Sequence, residues 1–208
     1  MKVDIIACTE HPMEVVSEAA ATCYGKSGYS SRRVKTCYDS GHMSVFEHAS
    51  VTFRAESISR ACSHQLVRHR VASYSQLSQR YAKVDTESGD WYVMPKWFED
   101  TFSDDGIFWK QAFEEAMENC AVDYQEALER GCRPEDARYL LPEAAKTTIT
   151  VTMNLRELYH FLDLRQVNAA QWEIRELADK VEAAVRDANA EWSALMDLRG
   201  MGQCGKAR

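Results

Sequence analysis

Apolar and polar positions follow two rhythms along this chain. Ala49–Ala55 sets Val51, Phe53 and Ala55 against Ser50, Thr52 and Arg54, the period-two signature of a half-buried strand. Lys146–Met153 is dense in β-branched residues and predicts another strand. Val3–Cys8 predicts a short opening strand, and Trp91–Met94 a further one ended by Pro95. Elsewhere the spacing is helical. A helix is expected over about Pro12–Tyr24, with Pro12 in its first turn and Gly25 at its C-cap. Another runs from about Ser31 to Ser40 and stops at Gly41. Ser57 is placed to cap a helix reaching about His69, with Ile58, Ala61, Cys62, Gln65 and Leu66 along one stripe. A long amphipathic helix is expected over about Asp104–Arg130, closed by Gly131, and a short one over Pro134–Leu140 before Pro142. Asn154, with Glu157 three residues later, forms a capping-box pattern opening a helix through about Leu164. Gln166–Leu198 reads mostly as one more long helix, carrying Trp172, Ile174, Leu177, Val181, Val185, Trp192 and Leu195. Long helices and a few strands in one small, mostly antiparallel sheet predict an α+β fold. With no repeat and no Pro-, Gly- or Ser-rich linker, a single domain over 1–198 is expected, followed by a flexible tail over 199–208.

Composition narrows the class. Of 208 residues, 45% are hydrophobic and 27% charged, which excludes a disordered, fibrous or low-complexity chain. No apolar run reaches bilayer length, and the opening MKVDIIACTEH lacks the apolar core of a secretory signal, so a cytoplasmic protein without a membrane partner is expected. The formal net charge of -7 is opposite to that of a general nucleic-acid binder. Seven cysteines, none in a C-x-x-C spacing, argue against a disulfide framework and against a thiolate zinc site. His42, Glu47 and His48 fit no zinc-ligand spacing, so no metal is expected. Gly200–Gly205 matches G-x-G-x-x-G literally, but only three residues follow it and no helix N-terminus is available to bind a phosphate.

One stretch breaks the acidic pattern. Residues 57–84 contain no Asp or Glu, although the chain holds 32 of them. Random placement would empty such a window roughly one time in a hundred, so its composition carries information. The window holds Arg60, Arg68, Arg70, Arg80 and Lys83 with His64 and His69, followed by serines and by Tyr74 and Tyr81. Guanidinium groups bind phosphate bidentately, hydroxyls complete such a cradle, and aromatic faces suit a heterocycle. Three readings stay open at this level: a nucleotide site, a solvated basic face, or a nucleic-acid or partner patch.

Arg68-His69-Arg70, seven residues and then Ser78 resembles the RHR-x7-S signature of the flavin-dependent thymidylate synthases. Gly41-His42, Ser44 and Phe46-Glu47-His48 stand upstream in family order. Arg138-Tyr139-Leu140-Leu141-Pro142, Asn154-Leu155-Arg156, Phe161-Leu162-Asp163-Leu164-Arg165 and Ala170–Arg175 follow downstream. The resemblance implies conversion of dUMP to dTMP with methylenetetrahydrofolate as carbon donor, NADPH as reductant and FAD as mediator, without a cysteine nucleophile. It implies a homotetramer with active sites shared between subunits. It places Ser44, Arg68, His69, Arg70, Gln76, Asn154, Arg156 and His160 at FAD. It places Gln65, Leu66, Val67, Arg68, Gln76, Leu77, Ser78, Gln79, Arg80, Arg138 and Arg165 at dUMP, with Arg165 activating the uracil ring. Two positions depart from the family pattern: Ser75-Gln76 replaces a frequent Asn-Glu, and His160 stands where some members have asparagine. The alternative is a nucleotide- or nucleic-acid-binding module built on segment 57–84.

Overall fold

The computed structural model describes residues 1–99 and 104–204. Strand β1 (Lys2–Cys8) leads into helices α1 (Pro12–Thr22) and α2 (Ser31–Asp39) and a 3-10 turn over Met43–His48. Strand β2 (Ser50–Ser59) runs into α3 (Arg60–Leu66), and β3 (Ala72–Gln76) follows. Helices α4 (Lys96–Glu99), α5 (Asp104–Glu129) and α6 (Pro134–Ala137) precede a 3-10 turn over Arg138–Leu140. The chain closes with β4 (Lys146–Asn154), α7 (Leu155–Arg165), α8 (Trp172–Ala188) and α9 (Ala190–Cys204). The strands form one sheet in the order β1-β2-β4-β3, so the fold is α+β as expected.

The sheet register explains one misread boundary. Leu155 N donates to Ala49 O, and the Thr52 and Thr152 hydroxyls lie 2.9 Å apart, so β2 and β4 run antiparallel with paired numbers summing to 204. Farther along, Arg60 N donates to Ala145 O, a sum of 205. Arg60 opens α3 and Ala145 precedes β4, so the offset changes by one residue just past the paired strands, as a β-bulge near the end of β2 produces. Ser57, the one described non-glycine residue with positive φ (56°), absorbs the extra residue. Its left-handed conformation shifts the buried face from Val51, Phe53 and Ala55 to Ile58. Ser57 is thus no helix cap; Ser59 Oγ does that work, accepting from Cys62 N at 2.9 Å.

The chain divides into two compact units that are interleaved in sequence: Met1–Ala55, Gln65–Ser75 and Ile149–Arg208 form the first, Glu56–His64 and Gln76–Thr148 the second. In the first, β2 and β4 contribute Val51, Phe53, Ile149, Val151 and Met153 to a core completed by Phe46, Leu158, Phe161, Val181 and Trp192. Fully burying each large apolar side chain contributes about 1.5–3 kcal/mol before entropic costs. The second unit packs Trp91, Met117 and Ala145 together with Tyr92, Phe113 and Leu141. The expected strand at Trp91–Met94 is only a single bridge, Tyr92 to Ala145.

The expected long final helix is two. Asn189 ends α8 and caps α9, its side-chain oxygen accepting from Glu191 N and Trp192 N, both at 3.0 Å. The chain does not leave the fold at residue 199. Arg199 is 5% exposed and donates to Asp163 and Gln166 at 2.8 Å and to Glu182 at 3.2 Å, while α9 continues to Cys204. Residues 205–208 lie outside the described set. Among the described residues no helix is long and apolar enough to cross a membrane.

Candidate active site

In the first unit the basic motif forms a turn at the end of α3, where Arg68 N and His69 N donate to Gln65 O and Leu66 O. Arg68 and Arg70 are exposed and have no carboxylate partner among the described residues, whereas His69 between them is 3% exposed. Tyr74 on β3 braces the turn: its hydroxyl, 3.0 Å from Leu66 O and 2.6 Å from His69 O, shares one proton between them. Burial raises the Tyr74 phenol to about 12, so that proton stays in place.

Two groups from α7 meet the His69 ring. Arg165 Nε donates to Nε2 at 3.0 Å, and Glu157 Oε1 lies 3.2 Å from Nδ1. A guanidinium can only donate, so Nε2 carries the lone pair and Nδ1 the proton, which goes to Glu157. Desolvation, and then the positive charges of Arg165 and His160, lower the His69 pKa to about 4, so the ring is neutral. Burial raises the Glu157 carboxyl, against the opposing pull of His160 and Arg156. Arg165 is further fixed by Nη2 donating to Gln65 O at 3.3 Å, while Nη1 makes no hydrogen bond among the described residues.

The local sequence accounts for this placement. Asn154 Oδ1 accepts from Glu157 N at 2.9 Å, starting α7 where the capping pattern expects it. Helical spacing then sets Arg156 and His160, four residues apart, along one face. Asn154, Arg156, Glu157 and His160 line a cavity of about 400 Å3 with Glu47 and Val71, and Arg156 pairs with Glu47 at 2.5 Å. Ser44 is exposed on the nearby 3-10 turn. Donor atoms of His69, Glu157 and His160 lie within 4.8 Å of one another, a spacing that can hold a metal ion. Here both His69 nitrogens are committed, and the guanidinium on one of them repels a cation.

The second unit holds another group. Gln76 Nε2 donates to Ser63 Oγ at 2.9 Å and to Thr147 Oγ1 at 3.2 Å, leaving its carbonyl oxygen as the uncommitted end. Ser78 shapes the following turn: its carbonyl accepts from Ala82 N and its hydroxyl from Arg80 N. Arg80 lies 3.4 Å from Glu135. Arg138 and Gln79 line a cavity of about 190 Å3 with Arg60, His64 and Glu143, where Arg60 and Arg138 bring two like charges together. Of the remaining expected residues, Val67 and Leu77 are exposed, while Leu66 is fully buried and its carbonyl is used within the turn. Sequence reasoning read Glu157 only as part of a helix cap. No local signal ties it to His69, 88 positions away.

The arginine-flanked histidine turn and the anchored Arg165 gather fixed cationic groups beside a polar cavity, and comparison with known proteins gives the family. Residues 4–189 match the family described as Thymidylate synthase complementing protein, and the chain belongs to that family. It is 46% identical over 191 residues to the flavin-dependent thymidylate synthase of Geobacter sulfurreducens, covering 86% of this chain and 79% of that one. It is 41% identical over 203 residues to the Pyrococcus furiosus enzyme of the same name, covering 90% and 80%. A crystal structure of Helicobacter pylori ThyX with FAD and dUMP superposes with a TM-score of 0.72 at 26% identity, covering 94% of this chain and 96% of that one. The chain is therefore an enzyme of a methyl-transferring family.

Proposed function

We propose that this protein methylates dUMP reductively to dTMP, taking carbon from methylenetetrahydrofolate and electrons from NADPH through FAD. The observation that carries the reading is the turn Arg68-His69-Arg70: two arginines with no carboxylate partner among the described residues flank a buried histidine that anchors a third, Arg165. FAD fits these residues. Its diphosphate suits Arg68 and Arg70, and its polar edges suit Ser44, Asn154, Arg156 and His160; the resemblance adds Gln76 and His69, but His69 is buried with both ring nitrogens committed to Glu157 and Arg165. Held by these residues, FAD would supply the redox chemistry that links NADPH to the transferred carbon.

The chain's own residues bind and polarise the nucleotide. The family resemblance assigns Gln65, Arg68, Gln76, Ser78, Gln79, Arg80, Arg138 and Arg165 to dUMP, with Leu66, Val67 and Leu77 flanking them. Arg165 stabilises negative charge on the uracil ring, which makes carbon-5 nucleophilic without a thiolate. Among the described residues its Nη1 makes no hydrogen bond, which leaves donors available for that purpose. Cys62, the one cysteine in the basic segment, is fully buried on the apolar side of α3 and supplies no nucleophile. Gln76 replaces a frequent family glutamate, and both hydrogens of its amide are already satisfied within the fold.

The enzyme acts as a homotetramer whose sites draw on more than one subunit. The test is a visible spectrum of the protein after gel filtration, followed by NADPH oxidation with and without dUMP. The proposal expects retained flavin, a tetramer-sized peak and dUMP-stimulated oxidation. A colourless protein that cannot be loaded with FAD, or full activity in a monomer-sized peak, would contradict it.

A further inference from the structure

We propose that Glu157 is a positioning residue: by accepting from His69 Nδ1 it selects the imidazole tautomer whose Nε2 receives Arg165, and so sets the plane of that guanidinium. The inference rests on the reading of Arg165 as the group that faces the uracil ring. A neutral imidazole carries one proton, and its position decides what the opposite nitrogen can do. Arg165 Nε is a donor under all conditions, so it can meet Nε2 at 3.0 Å only if the proton is on Nδ1. Among the described residues Glu157 is the group that holds the proton there.

Burial makes this choice binding. The His69 and Glu157 side chains are 2% and 9% exposed, so solvent is poorly placed to replace the carboxylate. Glu157 is itself fixed, its amide held by Asn154 Oδ1 in the first turn of α7. Its carboxylate goes across to His69 instead of completing a capping box. The ring thus links the first turn of α7 to Arg165 at the last, eight residues or about 12 Å along the axis. With the proton moved to Nε2, two N–H donors would oppose each other, and the guanidinium would have to turn away. Misplacement of a reacting group by about 1 Å can cost on the order of 10²-fold in rate.

The test uses the full-length FAD-loaded enzyme labelled with 15N-histidine. Solid-state 15N NMR reads the His69 tautomer, with the His69 signals identified by their loss in His69→Gln. The wild type is expected to carry its proton on Nδ1. Glu157→Gln keeps an acceptor without the charge, and should keep both the tautomer and most of kcat. Glu157→Leu removes the acceptor; it should lose the tautomer and about 10²-fold in kcat, with KM for dUMP little changed. Wild-type protonation at Nε2 would overturn the proposal, as would an unchanged kcat in Glu157→Leu. Should Glu157→Leu fail to fold, loss of Nδ1 protonation in Glu157→Gln would be equally decisive. The tautomer is read without turnover, so failure of the assigned reaction shows separately, as a wild-type enzyme that makes no dTMP with the Nδ1 proton in place.

Discussion

Acidification should expose the cost of keeping His69 neutral. The imidazole ordinarily ionises at 6.5 but only at about 4 in the folded chain, because it is desolvated and faces Arg165 and His160. Between those values the unfolded chain binds a proton that the folded chain does not. The His69 contribution to stability is therefore complete above pH 6.5, falls as pH drops from 6.5 to about 4, and is flat below. The gap corresponds to about 3 kcal/mol at most. Glu157 opposes it: its folded pKa is raised, so its contribution is greatest in acid and is lost as pH rises through that folded value. The net slope is accordingly smaller than His69 alone would give. Urea unfolding midpoints at pH 7, 6 and 5 for wild type and His69→Gln would measure it. The wild type should lose more stability than the variant on going to pH 5; parallel curves would refute the buried neutral histidine.

Arg165→Lys keeps the charge but loses the fork that reaches His69 and Gln65 O. Its dTMP formation should fall about 10²–10³-fold while bound flavin survives, and near-normal methylation would contradict the role. Ser78→Ala should raise the Kd for dUMP and keep measurable turnover, since Ser78 shapes a turn and attacks nothing; a Ser78–dUMP adduct in the mass spectrum would overturn this. Arg199→Met removes the buried guanidinium that donates to Asp163, Gln166 and Glu182 and should lower unfolding free energy by about 2 kcal/mol or more, read as a shifted urea midpoint. An unchanged midpoint would show that the α9 anchor is dispensable.

Local chemistry was the legible part of this protein. The β-branched run at 146–153 forms β4, with Thr147, Ile149, Val151 and Met153 buried, and Asn154 caps α7 through Glu157 N. The family motif likewise depends on short spacings that survive as linear sequence. Features set by tertiary partners were not legible. Ser57 looks like a helix cap because serine suits both a cap and a bulge, and only the β4 register separates them. Strand β3 hides in a serine- and glutamine-rich run whose apolar members are few. Asn189 breaks the last helical run with its own side chain, which overrides an apolar periodicity that continues across it. The pairing of Glu157 with His69 joins two turns far apart in the chain, one predicted as a cap and the other read from its composition as a nucleotide site, a solvated basic face or a partner patch.

The proposed reaction is a reductive methylation in which the folate gives up one carbon and no hydride. A methylene carbon is two electrons more oxidised than a methyl group, and those electrons are assigned to NADPH. The direct measurement is the product mixture after the FAD-loaded protein has acted on dUMP, methylenetetrahydrofolate and NADPH. The account predicts dTMP, NADP+ and tetrahydrofolate in equal amounts. Accumulation of dihydrofolate, or consumption of NADPH without dTMP, would contradict it.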